Sequence, residues 1–447
     1  MTLKFGTDGV RGVANSELTP ELALVLGRAA ARVLGGSRWL VGRDTRRSGP
    51  FLQAALTAGL ASEGVEVIDL GVVPTPAVAF LSSADDGPGA VISASHNPFA
   101  DNGIKFFAEG GRKLSDETEA ALEAEVDRLR ADPWNDLAER PVGAAVGTLR
   151  SEPAEWSRWA DHLSTEVLNG RGLGDLDVVI DCANGASSQV AAAVLRPLVR
   201  RLDVLNCEPD GTNINLDCGS NHPEQLRQAV VLAGAHVGLA FDGDADRVVA
   251  VDAAGSVVDG DQIIALCAVD LHERGMLAKD SVAVTVMTNL GFRLAMQERG
   301  ITVVETAVGD RYVLEALDDQ GLSLGGEQSG HVIFRDVAST GDGLLTGLMV
   351  LDVMARTGQP LRELAGIMTR LPQVLLNVKV AHRNPAIADV VADDVKRAEV
   401  ELGELGRVLI RPSGTEPVVR VMVEAPTHDL AHTLATRLAT AVEQAGS

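Results

Sequence analysis

The run Val91-Ile92-Ser93-Ala94-Ser95-His96-Asn97-Pro98 carries a small hydroxyl, Ser95, out of an apolar strand-like stretch and onto a turn followed by His, Asn and Pro. A rigid turn of this kind presents a nucleophile. Farther along, Phe241-Asp242-Gly243-Asp244-Ala245-Asp246-Arg247 sets three carboxylates at alternate positions with small spacers between them. Alternate side chains of an extended loop share one side. Three anions crowded there are costly unless a cation neutralises them. All-oxygen ligands favour a hard cation, Mg²⁺ first. The distal glutamate of an EF-hand loop is missing. An acidic surface turn is the bland alternative. Against it, the apolar strand Val237–Phe241 puts the acids at its carboxyl end, where ligands gather in open α/β sheets.

Two more loops have the chemistry of recognition. Arg411-Pro412-Ser413-Gly414-Thr415-Glu416-Pro417 combines a guanidinium fork, two hydroxyls and a glycine that lets backbone N–H groups come close, with Arg420 adding charge. It reads as a phosphate loop or as an ordinary Pro/Gly turn between strands. Gly325-Gly326-Glu327-Gln328-Ser329-Gly330-His331 brackets polar side chains with glycines. There Glu327 can accept hydrogen bonds from two neighbouring sugar hydroxyls and Ser329 can serve a third group. A surface hairpin is the alternative, and a lone His331 fits a structural histidine as well as an acid or base. Thr7-Asp8-Gly9-Val10-Arg11-Gly12 and Gly42-Arg43-Asp44-Thr45-Arg46 place arginines beside glycines, which suits phosphate contacts or surface salt bridges. Lys105 follows ten residues after Ser95 and can reach back to the same site. One serine beside a metal site, a second phosphate site and a sugar reader point to moving a phosphate within one molecule.

These loops need elements to hold them. Thr19-Pro20-Glu21 opens a helix with a capping hydroxyl, a proline in the first turn and an early acid, and Gly35-Gly36 closes it. Trp39–Val41 then reads as a strand, Phe51–Ser62 as a helix and Val65–Leu70 as a strand. The alternation predicts mostly parallel, doubly wound sheets. It restarts at Asp177–Asp181 and again at Ser281–Val286, which predicts three related α/β units. The tail differs. Leu375–Val380, Val408–Arg411 and Val418–Val423 read as strands, and Ala386–Leu402 and Asp429–Glu443 as helices, a compact α+β unit. The expected divisions are 1–153, with the serine; 154–252, with the aspartate loop; 253–370, with the sugar loop; and 371–447, with the phosphate loop. The first of these boundaries lies in the stretch Asp132–Pro153.

With 447 residues the chain is too long for one core. A formal charge of −23 argues against nucleic acid as a partner and requires that any phosphate site concentrate its cations locally. No apolar run is long enough to span a bilayer, and the first residues lack the basic and apolar regions of a signal peptide, so the expected location is cytoplasmic. Cys182, Cys207, Cys218 and Cys267 contain no Cys-x-x-Cys pair, so reduced thiols are expected. A P-loop, a dinucleotide fingerprint and a hydrolase serine elbow are all missing.

Ser93-Ala94-Ser95-His96-Asn97-Pro98 followed by Asp101-Asn102-Gly103-Ile104-Lys105, with the other three motifs in order, resembles the α-D-phosphohexomutase superfamily over essentially the whole chain. Gly326–His331, with Gln328, and Gly309-Asp310 resemble its glucosamine branch. The resemblance implies four domains around a central cleft, three of them related α/β units. It implies that Ser95 is a phosphoserine, and that Asp242, Asp244 and Asp246 bind one Mg²⁺ with an oxygen on Ser95, steadied by Arg247. It further implies that Glu327 and Ser329 read sugar hydroxyls, and that Arg411, Ser413, Gly414, Thr415 and Arg420 hold the unreacting phosphate. Lys105, Arg11 and His331 become candidates for proton transfer or charge stabilisation. The implied reaction interconverts glucosamine 6-phosphate and glucosamine 1-phosphate through a bisphosphate that also serves as activator. No membrane or nucleic-acid partner is implied, and a homodimer is. A glucose- or mannose-phosphate mutase of the same superfamily, a non-catalytic sugar-phosphate binder and a metal-dependent phosphatase are the rival readings.

Overall fold

The structure is a computed structural model and describes residues 9–131, 139–382, 384, 386–412 and 417–446. It packs as two compact units. One runs through Val286 and adds Ile301–Gly366; the other combines Met287–Gly300 with Ile367–Ser447.

The larger unit holds three sheets. The first has seven strands, in the order Val10–Val13, Asp101–Ala108, Gly89–Ile92, Arg38–Arg43, Glu66–Val72 and Leu149–Ser151, with Arg112–Lys113 beside Asp101–Ala108. The second runs Val257–Val258, Val248–Asp252, Val237–Phe241, Asp177–Asp181, Arg201–Leu205. The third runs Thr302–Thr306, Ser281–Thr285, Leu324–Gly326, Val332–Phe334. Three α/β sheets therefore recur, as the restarting pattern predicts.

The sheets are less parallel than expected. Each has a parallel centre, such as Asp177–Asp181 with its two neighbours. Each then turns back through an antiparallel strand: Gly89–Ile92 against Asp101–Ala108, Val237–Phe241 against Val248–Asp252, and Leu324–Gly326 against Val332–Phe334. A parallel return would need a crossover of a dozen or more residues, whereas an antiparallel one needs only a short loop. The three short loops, 93–100, 242–247 and 327–331, are the serine, aspartate and sugar motifs. Each motif thus leaves the carboxyl end of a buried strand.

Local signals built these elements as the residues predict. Thr19 Oγ accepts from Leu22 N at 3.3 Å, Pro20 begins the helix Pro20–Leu34, and Gly35 ends it at φ 68. Trp39 is fully buried in the first core, with its indole N–H donated to the Gly35 carbonyl at 2.9 Å. Burying a side chain of this kind stabilises by about 2–3 kcal/mol. Residues 132–138 of the expected boundary stretch lie outside the described residues, while Leu149–Ser151 adds an edge strand to the first sheet.

In the smaller unit, Gln373–Lys379 and Arg407–Pro412 flank Val418–Glu424 in an antiparallel sheet. The helix His428–Ala445 buries Leu434, Leu438 and Val442 against its core. The helix expected over 386–402 is two helices, Ile387–Val390 and Ala392–Leu402. Val391, at φ −99 and ψ 14, leaves the helical region between them and is itself buried in the core. No helix among the described residues is long and apolar enough to cross a membrane.

Candidate active site

Ser95 sits at φ 51, a left-handed conformation uncommon for a side chain of this type and often found at functional positions. Its N–H donates to Ser93 Oγ at 2.9 Å, and its carbonyl accepts from Arg46 at 2.9 Å. The turn aims the hydroxyl at the second sheet, where Ser95 Oγ donates to Asp242 Oδ2 at 2.5 Å. Gly243 is what allows the two loops to meet, because a Cβ there would stand 2.4 Å from the Ser95 carbonyl oxygen. His96 Nδ1 lies 3.4 Å from Ser95 Oγ and 3.3 Å from Arg247 Nη1. Burial, then the charges of Arg247 and Arg11, pull the His96 value down to about 4, so the ring is neutral near pH 7.

Asp242, Asp244 and Asp246 are all buried, and each offers a carboxylate oxygen within 4.8 Å of the others. Their convergence differs from the expected extended alternation. Residues 242–247 form a turn, with Ala245 in the left-handed region at φ 57. Turning lets the strands on either side pair, and it folds the acids inward. The protein holds both oxygens of Asp242, the second through Ser95, and one oxygen of each of the other two acids. Asp242 Oδ1 accepts from Arg247 N at 3.2 Å. Asp244 Oδ2 accepts from Thr75 Oγ at 2.7 Å and Lys105 Nζ at 2.9 Å. Asp246 Oδ2 lies 3.5 Å from Lys105 Nζ and 3.7 Å from His331 Nδ1. The remaining oxygens, Asp244 Oδ1 and Asp246 Oδ1, are buried and find no hydrogen-bond partner among the described residues. A buried unpaired carboxylate oxygen is costly. Two of them on one all-oxygen cluster fit a hard divalent cation. Burial, then Asp246 and Asp244, raise Asp242 well above the usual carboxylate range. Burial pushes Asp246 the same way, but Lys105, His331 and Arg247 together hold it well below.

The sugar-type loop joins this cluster. Val248 N donates to the Gly330 carbonyl at 3.1 Å, and the Glu327 charge acts on Arg247. Glu327 Oε1 accepts from Gly309 N at 3.2 Å, and Ser329 is exposed. His331 is 2% exposed and stands behind Asp246, with Nε2 accepting from Gly341 N at 3.2 Å and lying 3.3 Å from Asp310 Oδ2. Lys113 pairs with that same Asp310. Arg11 lies on the strand Val10–Val13, and its charge reaches His96.

Arg46 departs from both of its readings, surface pair and phosphate contact. Its side chain is fully buried and satisfied by Asp44 and backbone carbonyls. Thr75 and Asn215, which donates to the Ser95 carbonyl at 2.9 Å, carry no sequence signal, since each acts on a loop far away in the chain.

In the smaller unit, Arg411 and Arg420 face each other across paired antiparallel strands. Neither has a carboxylate partner among the described residues. Burial and then Arg420 hold Arg411 below the usual arginine value. Like charges directly opposite destabilise a strand pair, and an anion offsets that. Ser413, Gly414 and Thr415 lie outside the described residues.

Comparisons with known proteins match the same layout. The family descriptions phosphoglucomutase/phosphomannomutase alpha/beta/alpha domain I, II and III match residues 2–132, 157–255 and 259–371, and the family's C-terminal domain matches 375–441. The phosphoglucosamine mutase of Rhodococcus opacus is 54% identical over 97% of this chain and 98% of its own. That of Frankia alni is 55% identical over 100% and 99%. Among solved structures, a phosphoglucomutase/phosphomannomutase family protein from Burkholderia thailandensis is 26% identical, with a TM-score of 0.80 over 98% of this chain and 97% of its own. At 19% identity, the Aspergillus fumigatus N-acetylphosphoglucosamine mutase in complex with GlcNAc-6P and magnesium shares the fold, with a TM-score of 0.72 over 100% and 96%.

Proposed function

The chain belongs to the phosphoglucomutase/phosphomannomutase family, and from that premise we propose that it interconverts glucosamine 6-phosphate and glucosamine 1-phosphate through a phosphoserine at Ser95. The observation that carries the reading is Ser95 Oγ at 2.5 Å from Asp242, within a carboxylate cluster that keeps two buried oxygens without a hydrogen-bond partner among the described residues. The sugar comes from full-length relatives more than half identical to this chain and named phosphoglucosamine mutase.

Asp242, Asp244 and Asp246 hold Mg²⁺ in this reading, with an oxygen of phosphorylated Ser95 joining them. When bound, the ion offsets negative charge at the phosphoryl group. Ser95 carries that group in the resting enzyme. Transfer breaks the phosphorus bond to Ser95 Oγ and forms one to the free sugar hydroxyl, giving the 1,6-bisphosphate. The reverse step takes the other phosphate from the turned intermediate. Glu327 and Ser329 read ring hydroxyls. Arg411, Arg420, Ser413, Gly414 and Thr415 hold the phosphate that does not react, and the facing arginines support this because an anion between them offsets their repulsion. Lys105, Arg11 and His331 move protons or offset charge. Of these, His331 acts behind Asp246 and Lys105 acts at the carboxylates it already bridges. Positioning by these groups does most of the work. A glucosamine 1,6-bisphosphate or a similar bisphosphate serves as activator. The four divisions at 153, 252 and 370, a cytoplasmic location and a homodimer belong to the same reading.

The test is turnover on glucosamine, glucose and mannose 6-phosphates side by side, with intact mass and peptide mapping of the loaded enzyme. Preference for the amino sugar and one phosphate at Ser95 are expected. Preference for another hexose overturns the substrate, and phosphate at any other residue overturns the mechanism.

A further inference from the structure

The carbonyls of the serine loop converge on one buried guanidinium. Arg46 donates through Nε to Asp44 Oδ2 at 2.8 Å, through Nη1 to the carbonyls of Asp101, at 3.0 Å, and Pro98, and through Nη2 to those of Ser95 and Asn97, at 2.9 and 2.8 Å. A guanidinium has five N–H donors. All five are engaged here, one on a carboxylate and four on backbone carbonyls of residues 95–101. Asp44 closes the ring. Its Oδ2 also accepts from Ser93 Oγ at 2.7 Å, and Ser93 Oγ accepts from Ser95 N at 2.9 Å. Both the amide and the carbonyl of Ser95 are therefore tied to one network.

A second hand reaches in from the other side. Asn215 Nδ2 donates to the Ser95 and Asn97 carbonyls, at 2.9 and 3.2 Å, and Asn215 itself sits at φ 58 with its N–H on the Ala183 carbonyl. The segment after Asp44 is pinned to the same region, through Thr45 Oγ to the Asn184 carbonyl at 2.5 Å and Arg47 N to the Gly211 carbonyl at 2.8 Å.

We propose that Arg46, with Asn215, is a positioning residue for phosphoryl transfer: it grips the serine loop by its carbonyls and holds Ser95 Oγ in register with the aspartate loop, without touching the phosphate. This rests on the phosphoserine reading of Ser95. A phosphoryl group on Ser95 brings two further negative charges against a cluster of three carboxylates, and repulsion pushes the loop outward. A clamp on the backbone resists that push and leaves every phosphoryl oxygen available for reaction. Lysine cannot replace the clamp, since three donors on a point charge do not reach five acceptors set in a fork.

The test measures kcat per phosphorylated molecule, KM and thermal midpoint for Arg46→Lys, Asn215→Gly and Asn215→Asp in the full-length, bisphosphate-loaded enzyme. Glycine keeps the left-handed backbone and removes only the amide. Aspartate sets a carboxylate against two carbonyls. The expected result for Arg46→Lys is a fall in kcat of about ten- to a hundredfold with KM little changed. Asn215→Gly falls less, and Asn215→Asp falls more than glycine. Values of kcat for Arg46→Lys and Asn215→Gly within about twofold of wild type, even with a lowered thermal midpoint, would make Arg46 a structural brace and overturn the proposal. If Arg46→Lys does not fold, the two Asn215 variants decide by the same criterion. Wild-type enzyme that never carries phosphate on Ser95 overturns the phosphoserine reading and the clamp with it. A failed clamp alone leaves that phosphate in place.

Discussion

The aspartate turn at 242–247 and the arginine pair Arg411–Arg420 are both clusters of like charge, and they are balanced in different ways. Around the aspartates the chain supplies its own counter-charges, with Lys105 on Asp244 and Asp246 and Arg247 alongside, while His331 stands behind Asp246. Only two of the six oxygens lack a hydrogen bond among the described residues. The arginines face each other with no carboxylate partner among the described residues. In the proposed reaction the aspartate centre is thus assembled in advance, whereas the arginine pair would be completed by the substrate phosphate. That division suits a reaction in which the transferred group must be placed accurately while the rest of the substrate presents itself in two orientations.

The largest effect should come from the centre itself. Ser95→Ala should lower kcat by at least about a thousandfold, measured in a coupled assay, with circular dichroism unchanged. Retained turnover would remove the reason for the preassembled cluster. On the other side, Arg411→Ala should raise KM by about ten- to a hundredfold with kcat little altered, the loss expected for a hydrogen bond to a charged group. An unchanged KM would mean that the arginines do not depend on the substrate. Thr75→Val removes a hydroxyl that holds Asp244 Oδ2, and it should weaken Mg²⁺ binding by about tenfold or more in calorimetry. Equal affinity would show that the carboxylates need no such support. The smallest effect should be the most discriminating. Arg420→Gln should raise the stability of the ligand-free protein by about 0.2–1 kcal/mol, by relieving repulsion across the strands. Inorganic phosphate should stabilise the wild type more than the variant in thermal melts. A destabilised variant would mean that the two charges are already balanced.

Much of this centre is legible in the residues because its information is local. Ser95 and the three aspartates sit at the ends of apolar runs, and their identities alone offer a hydroxyl and a cluster of acids suited to a metal. The glycines of 325–331 mark a hairpin, which their sequence reading offers as the alternative to a sugar reader. Arg46 shows where local reading fails. A guanidinium beside glycines reads as a phosphate contact or a surface salt bridge, and only the folded loop shows four carbonyls turned toward it. Thr75 and Asn215 were invisible because their partners lie 169 and 120 residues away. The mixed sheets were hidden for a related reason. A buried strand has the same apolar pattern whether its neighbour runs parallel or antiparallel, and the loop length that decides it is read only against the whole sheet.

Residue types and spacing set which chemistry is available: a hydroxyl on a turn, three acids in one short stretch, two arginines near each other in a later one, and strands and helices in repeated order. These depend on residue type and short-range pattern, which the chain carries wherever it goes. The tertiary structure alone decided which oxygens face each other, which of the three acids is held low and which is pushed high, and that Ser95 points at Asp242. Those outcomes depend on burial and on charges brought together from distant segments. Electrostatic interaction in a low-dielectric interior varies steeply with both.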